Sequence, residues 1–382
     1  MIIYLDFLIP IAAIIILSIF LQRQTNLLER ALVFAVAAIV IVASKFLATA
    51  FQTNTIEYWN SYATQAFYYE DWDEWITKIC TECVAHDEDG NCTSTRTYDC
   101  SYREYHSAYW EIKDNIGGTH GISESNYKEL VSSWGHEQFE DMHRSYYTKD
   151  GNMYYVNYDG VFDHTMTVCT KHIYENRVKC SKSVFNFKPI DTSEKRMYGL
   201  YDYPPTQMFG VMYNYNPIIG ASDASASRRL SIYNAKLGST KRVHMLFLVF
   251  KNKPYDAAVY QEAYWKGGNK NEFIVCIGID DQSQIKWTKV ISWTEVEKLK
   301  VTVVNKVRNM KYDLSMISDT VANEVSKSFI KKDFRQFDYL TIEPTTTAVI
   351  MAFIITLIVT TSICIVVIKF DISIETIQER FQ

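Results

Sequence analysis

The residues able to do chemistry in this chain begin with an acidic pair. Asp280 and Asp281 follow the apolar run Glu272 to Ile279 and so lie at the carboxyl end of an expected strand. Ligands collect at that end of α/β sheets, which makes two adjacent carboxylates candidate metal ligands, or an acid and a base for phosphate-ester hydrolysis. Trp265, Gly267, Gly268 and Asn269 form a candidate ligand or contact loop close by in sequence, with Lys266 and Lys270 supplying adjacent cations. The competing reading is a hairpin turn whose aspartates cap their own backbone. No dense ligand set surrounds the pair, so the expectation is no catalytic residue and no cofactor, with a weakly bound divalent cation as the alternative.

Six of the 8 cysteines fall between Cys80 and Cys180: Cys80, Cys83, Cys92, Cys100, Cys169 and Cys180. Outside the cytoplasm such an even, closely spaced set reads as disulfides. Cys169 and Cys180 flank Tyr174-Glu175-Asn176-Arg177 between two β-patterned runs, Met166 to His172 and Val178 to Phe187, and are expected to face each other across a hairpin. The other four leave three connectivities open. Zinc competes, because Cys80-x-x-Cys83 with Cys92, Cys100, His86 and His106 supplies enough soft ligands for a tetrahedral site. Asp87-Glu88-Asp89-Gly90-Asn91 resembles a piece of a calcium loop, but Gly falls at position four and Tyr98 at twelve, so a solvated turn is the better account. Asn91-Cys92-Thr93 matches a glycosylation sequon.

Other chemistries lack their motifs. His106, His120, His136, His143, His164 and His172 never adopt His-Glu-x-x-His spacing, and the chain has no Gly-x-Ser-x-Gly, P-loop or dinucleotide fingerprint. A formal net charge of -5 offers no field for nucleic acid.

The elements that must position these residues start with three apolar blocks, Ile2 to Leu21, Ala31 to Phe51 and Thr347 to Phe370, each long enough to cross a bilayer as a helix. Arg23 and Arg30 place the first connecting loop in the cytoplasm, whereas Glu57, Glu70, Asp71, Asp73 and Glu74 follow the second block. Lys331, Lys332 and Arg335 argue against this orientation. Asp6 and Lys45 fall at similar depth in an antiparallel hairpin and are expected to form an intramembrane ion pair.

Between the second and third blocks, aromatic runs and the turn Lys149-Asp150-Gly151-Asn152 indicate a β-rich part. From Ala221 helix and strand alternate. Asp223 to Leu237 reads as a helix stopped by Gly238, Val243 to Phe250 as a strand, and Tyr255 to Lys266 as a helix. The strands Glu272 to Ile279 and Ile285 to Ser292 follow, then helices from Thr294 to Met310 and Leu314 to Phe334.

Over about residues 221–338 the chain resembles the TPM-domain family of membrane-tethered extracytoplasmic α/β modules. The resemblance rests on the strand Val243 to Phe250, the helix with Ala257 and Tyr260, Trp265-x-Gly267-Gly268-Asn269-x-Asn271, and the strand ending at Asp280-Asp281. The family's Arg after the acidic turn and its Gly-x-Gly beyond the next strand are replaced here by Gln284-Ile285-Lys286 and Ile291-Ser292-Trp293. The resemblance implies a module for envelope assembly or protein contact, with phosphatase activity suggested for some members.

The expected architecture is an α+β membrane protein with three transmembrane helices. A transmembrane hairpin at 1–51 leads to a β-rich disulfide-containing ectodomain at 52–195 and a TPM-like domain at 196–343; a helix at 344–370 and a cytoplasmic tail at 371–382 close the chain. The expected function is an extracytoplasmic interaction or envelope-assembly protein without catalysis, partnered by membrane lipid and an envelope or membrane protein. A TPM-type metal-dependent phosphohydrolase is the alternative.

Overall fold

A computed structural model of the chain describes residues 12, 15, 27–142, 151–181, 187–209, 212–342 and 345–370. These form two compact units, one of residues 1–56, 173–187 and 333–382, the other of 57–172 and 188–332.

The first unit is built on two helices, α1 (Leu27–Thr53) and, at the far end of the sequence, a helix at Thr346–Phe370. Ala31–Thr53 and Thr346–Val366 are long and apolar enough to cross a membrane, and most of each is not buried. The two helices contact each other, and each carries buried residues at four-residue spacing: Val33, Ala37 and Ile41 on one, Ala352, Thr356 and Thr360 on the other. Four-residue rows are the ridges that helices interlock, and small residues on them let backbones approach. Phe34, Ile39, Phe46, Ile354 and Ile358 point outward. The expected first span and the Asp6–Lys45 pair lie outside the described residues, apart from isolated helical positions at Ala12 and Ile15 and the backbone of Lys45.

The second unit carries the mixed α+β part. Strand β1 (Asn54–Tyr69) enters it and is followed by β2 (Trp72–Ile76), β3 (Ile79–His86), β4 (Cys92–Asp99), β5 (Tyr102–His106), β6 (Tyr109–Asp114), β7 (Thr119–Ile122), α2 (Glu124–Trp134), β8 (Gln138–Glu140), β9 (Met153–Asn157) and β10 (Thr167–Glu175). Six of these strands make one sheet in the order β7-β6-β1-β9-β8, with β10 also pairing β1. Ala63, Ala66, Ile112, Val156 and Val168 fill its core beneath Leu130 and Trp134 of α2. Ser123 caps α2 by accepting the amide of Asn126.

Next come α3 (Thr192–Tyr198), a small hairpin β11 (Gln207–Phe209) and β12 (Met212–Asn214), β13 (Ile218–Ile219), α4 (Ala224–Lys241), β14 (His244–Lys251), α5 (Asp256–Tyr264), β15 (Glu272–Ile279), β16 (Ile285–Ser292), α6 (Glu297–Arg308) and α7 (Leu314–Ser328); the helix at Thr346–Phe370 is α8. The order α-β-α-β-β-α-α expected from Ala221 onward is present. The sheet runs β13-β14-β15-β16, parallel except for the β15–β16 hairpin. Every residue of β15 is buried, because helices cover both faces of a central parallel strand. Helix α4 does not stop at Gly238 as the sequence suggests. A Cβ there would meet the Asn60 carbonyl oxygen at 2.4 Å, so this glycine admits the β1 backbone against the helix rather than ending it.

Where the expected partner strand Val178 to Phe187 begins, residues 178–180 form a turn and no strand; residues 182–186 lie outside the described residues. The Asn176 side chain accepts the Lys179 amide, and the chain makes a helical turn at Arg177–Cys180. The expected Cys169–Cys180 bridge is therefore corrected: Cys169 is a buried thiol on β10, and the Cys180 thiol donates to the Gln52 carbonyl at 2.8 Å.

Candidate functional site

The acidic turn after β15 is held by its own backbone. Asp280 accepts the amides of Gln282 at 3.0 Å and Gln284 at 2.8 Å, and Lys286 Nζ lies 2.7 Å from its second oxygen. The Lys286 ammonium and then the Gln284 amide hold the Asp280 carboxyl below the ordinary carboxylate range. Asp281 turns to other partners, accepting from Asn252 Nδ2 at 2.8 Å with Lys251 Nζ at 3.5 Å. The two carboxylates thus each have a separate cation.

Trp265, Gly267, Gly268 and Asn269 precede the opposite end of β15, roughly 25 Å of extended strand away. There the Asn269 amide and side chain bond the two oxygens of Glu272, each at 2.7 Å, and buried Trp265 donates to the Tyr201 carbonyl. Gly267 and Gly268 both have positive φ, and a Cβ on Gly268 would press on the Glu272 carboxylate at 2.8 Å. Asp280, Asp281 and Asn269 are therefore not gathered at one turn.

The amino ends of β14 and β15 carry a buried polar group of residues that sequence reasoning missed. His244 Nδ1 meets both Tyr215 Oη and Asn60 Oδ1 at 2.8 Å, Asn271 donates to the Tyr58 carbonyl at 2.8 Å, and Tyr203 donates to Glu272 at 2.6 Å. The Tyr58 ring lies among Tyr203, Tyr215 and His244. Burial lowers the His244 pKa to about 3, so the imidazole is neutral, and it pushes the nearby Cys169 thiol up to about 12. On β1, buried Glu57 accepts from Trp59 Nε1 and faces Lys270 at 3.3 Å and Lys331 at 3.8 Å, while His172 and Arg242 lie against the Trp59 ring. These contacts clamp β1 to the α/β sheet. The one available signal was polar His244 and Asn271 at the entry to the apolar runs 245–250 and 273–279.

Beyond Tyr69, paired with Tyr109, the chain forms a two-stranded ribbon in which β2 pairs with β5 and then β3 with β4. Roughly 55 Å of extended backbone separates Tyr69 from His86 at the tip. Disulfides Cys80–Cys100 and Cys83–Cys92 cross-link β3 and β4, so these cysteines are bridged rather than gathered as zinc ligands. His86 sits opposite Cys92, and His106 lies at the base against Trp72. At the tip Asp87 accepts the amides of Asp89 and Asn91 at 3.1 and 2.7 Å, and Gly90 adopts φ 83°: the acidic run is a self-capped turn. All eight residues of β4 are exposed, as are Trp75, Ile79, Val84, Tyr98, Tyr102 and Tyr105.

Two open cavities, about 480 and 700 Å³, border the β11–β12 hairpin and share Gln207, Asn214 and Arg228. Arg228 donates to the Asp163 carbonyl, and His164 in the smaller cavity is paired with Asp159 at 2.6 Å. No family model matches the chain, and no curated protein or solved structure is similar to it.

Proposed function

We propose that this is a membrane-anchored, extracytoplasmic binding protein whose contact element is the disulfide-linked ribbon, and that it acts without catalysis. The observation that carries this reading is the ribbon itself. A two-stranded hairpin is marginal in water, and β3–β4 buries neither face, yet it is cross-linked twice and displays aromatic and branched apolar side chains. A protein invests in such a rigid, coreless element where a partner completes it. Tyrosines give large contact area at small entropic cost, and the Asp87-Glu88-Asp89 tip favours a partner with a basic, apolar-lined surface.

Two helices of membrane-crossing length support the anchoring, and two disulfides support an oxidising compartment. Membrane lipid and an envelope or membrane protein are the partners of this reading, which keeps the TPM-type assignment of residues 221–338 for the α/β sheet. The separate engagement of Asp280 and Asp281 by Lys286 and Lys251 favours binding over phosphate-ester hydrolysis at that turn.

The test replaces residues 79–99 by a two-residue turn in the full-length protein. The expected result is an unchanged thermal transition for the remainder and loss of stable co-purification with its membrane partner from solubilised native membranes. Retained complex in the deletion, or metal-dependent phosphomonoesterase activity abolished by Asp280→Asn, overturns the reading.

A further inference from the structure

At the base of the ribbon, where β2 pairs with β5, like charges face each other. Glu74 stands directly opposite Glu104, and His106 is opposite Trp72 on the same face. Two carboxylates directly across an antiparallel pair repel, and sequences ordinarily place an opposite charge there. On the other face of the same strands an opposite charge is supplied diagonally, with Arg103, opposite Trp75, placing its Nε 3.3 Å from Asp73. On the Glu74 face the neighbouring group is instead an imidazole: His106 Nε2 lies 2.9 Å from Glu74 Oε1, and one ligand atom from each of Glu74, Glu104 and His106 falls within 4.8 Å of the others. The His106 ring is stacked on Trp72, centroids 4.0 Å apart and planes 14° from parallel, which fixes its orientation toward the carboxylates. Strand register thus presents three donor side chains on one face of the ribbon.

We propose that Glu74, Glu104 and His106 bind a zinc-class divalent ion, completed by water or by a side chain of the bound partner. An imidazole nitrogen with two carboxylates matches zinc's nitrogen and oxygen preference, whereas calcium and magnesium favour all-oxygen sets. The ion would replace the Glu74–Glu104 repulsion with shared ligation and stiffen the junction between the ribbon and the six-stranded sheet. This site is separate from the expected Cys-based zinc site, whose cysteines are bridged.

The experiment uses the tag-free, full-length protein in detergent, titrated with zinc chloride by calorimetry and, in parallel, with cobalt chloride by visible absorption. The expected result is one saturable zinc site whose affinity falls at least about tenfold in Glu104→Gln and in His106→Gln, while exposed His86→Gln leaves it unchanged. Thermal unfolding supplies a readout that misfolding cannot imitate: Glu104→Gln should match or exceed the metal-free parent in Tm, because it removes a like-charge contact, yet lose the zinc-induced rise. Millimolar calcium should not displace the ion. Zinc binding insensitive to both substitutions, no saturable zinc binding, or calcium binding that survives His106→Gln overturns the proposal.

Discussion

The ribbon and the β13–β16 sheet are built from the same kind of strand and stabilised by opposite means. Strands β14 and β15 are buried along almost their whole length, and Phe247, Val275 and Ile277 pack into a core closed by Leu299, Val303, Ile317 and Val321. Strand β4 is exposed throughout and relies on ladder hydrogen bonds plus two covalent links. Burial of side chains stabilises the first through the hydrophobic effect, whereas cross-linking stabilises the second by restricting its unfolded states. The difference is one of available surface: β14 and β15 are covered on both faces, whereas β3 and β4 leave both faces free, which is the contrast the proposed contact role rests on.

The largest effect that could break this contrast is a core truncation. Phe247→Ala, in a fully buried position, should lower unfolding free energy by about 3–5 kcal/mol, read by urea denaturation, while Tyr98→Ala on the ribbon should cost under about 0.5 kcal/mol. Comparable losses at both positions would remove the distinction.

Next in size is the double substitution Cys80→Ser with Cys100→Ser, which opens a 20-residue separation. The ribbon should lose roughly 3 kcal/mol of local stability by the loop-entropy relation, seen as faster amide exchange across β3 and β4, with β14 and β15 unchanged. Faster exchange in β15 would show that the regions are energetically one.

A smaller effect is tied to pH. His244 has its folded pKa depressed to about 3, against about 6.5 in the unfolded chain. Below about pH 6.5 the unfolded state binds the proton and the folded state does not, so stability present at neutral pH is lost as pH falls from about 6.5 toward 3, at most about 1.4 kcal/mol per pH unit. His244→Gln should remove that part of the pH slope, measured by denaturation at several pH values. An unchanged slope would place the acid sensitivity elsewhere.

The smallest effect concerns the acidic turn. Lys286→Met should raise the titration of the half-buried Asp280 carboxyl, followed by NMR, without changing the fold. No upward movement would contradict the Lys286 pairing.

Much of the contrast was legible in sequence because it is local. The uninterrupted apolar runs at 245–250 and 273–279 announce strands covered on both faces, and the clustered cysteines announce a cross-linked segment. Long apolar helices are equally local signals, and two of them are seen in α1 and α8. What failed depends on distant partners. The Cys169–Cys180 bridge was inferred from hairpin spacing, but Asn176 bends the chain into a helical turn. Asp280 and Asn269 looked adjacent because eight strand residues are few in sequence, although they span much of the sheet. The His244–Asn60–Tyr215 group was invisible because Asn60 reaches it from 184 positions away. The Glu74–Glu104 pairing likewise needs the ribbon's register, which residue types alone do not set.

The most direct test of the ribbon as the contact element places a photo-crosslinking residue singly at Val84, Tyr98 or Asp281 in the full-length protein within native membranes. The account predicts one discrete light-dependent adduct from Val84 and Tyr98, lost when residues 79–99 are shortened as above with the probe moved to Tyr105, and none from Asp281. An adduct formed from Asp281, with the ribbon positions silent, would contradict it.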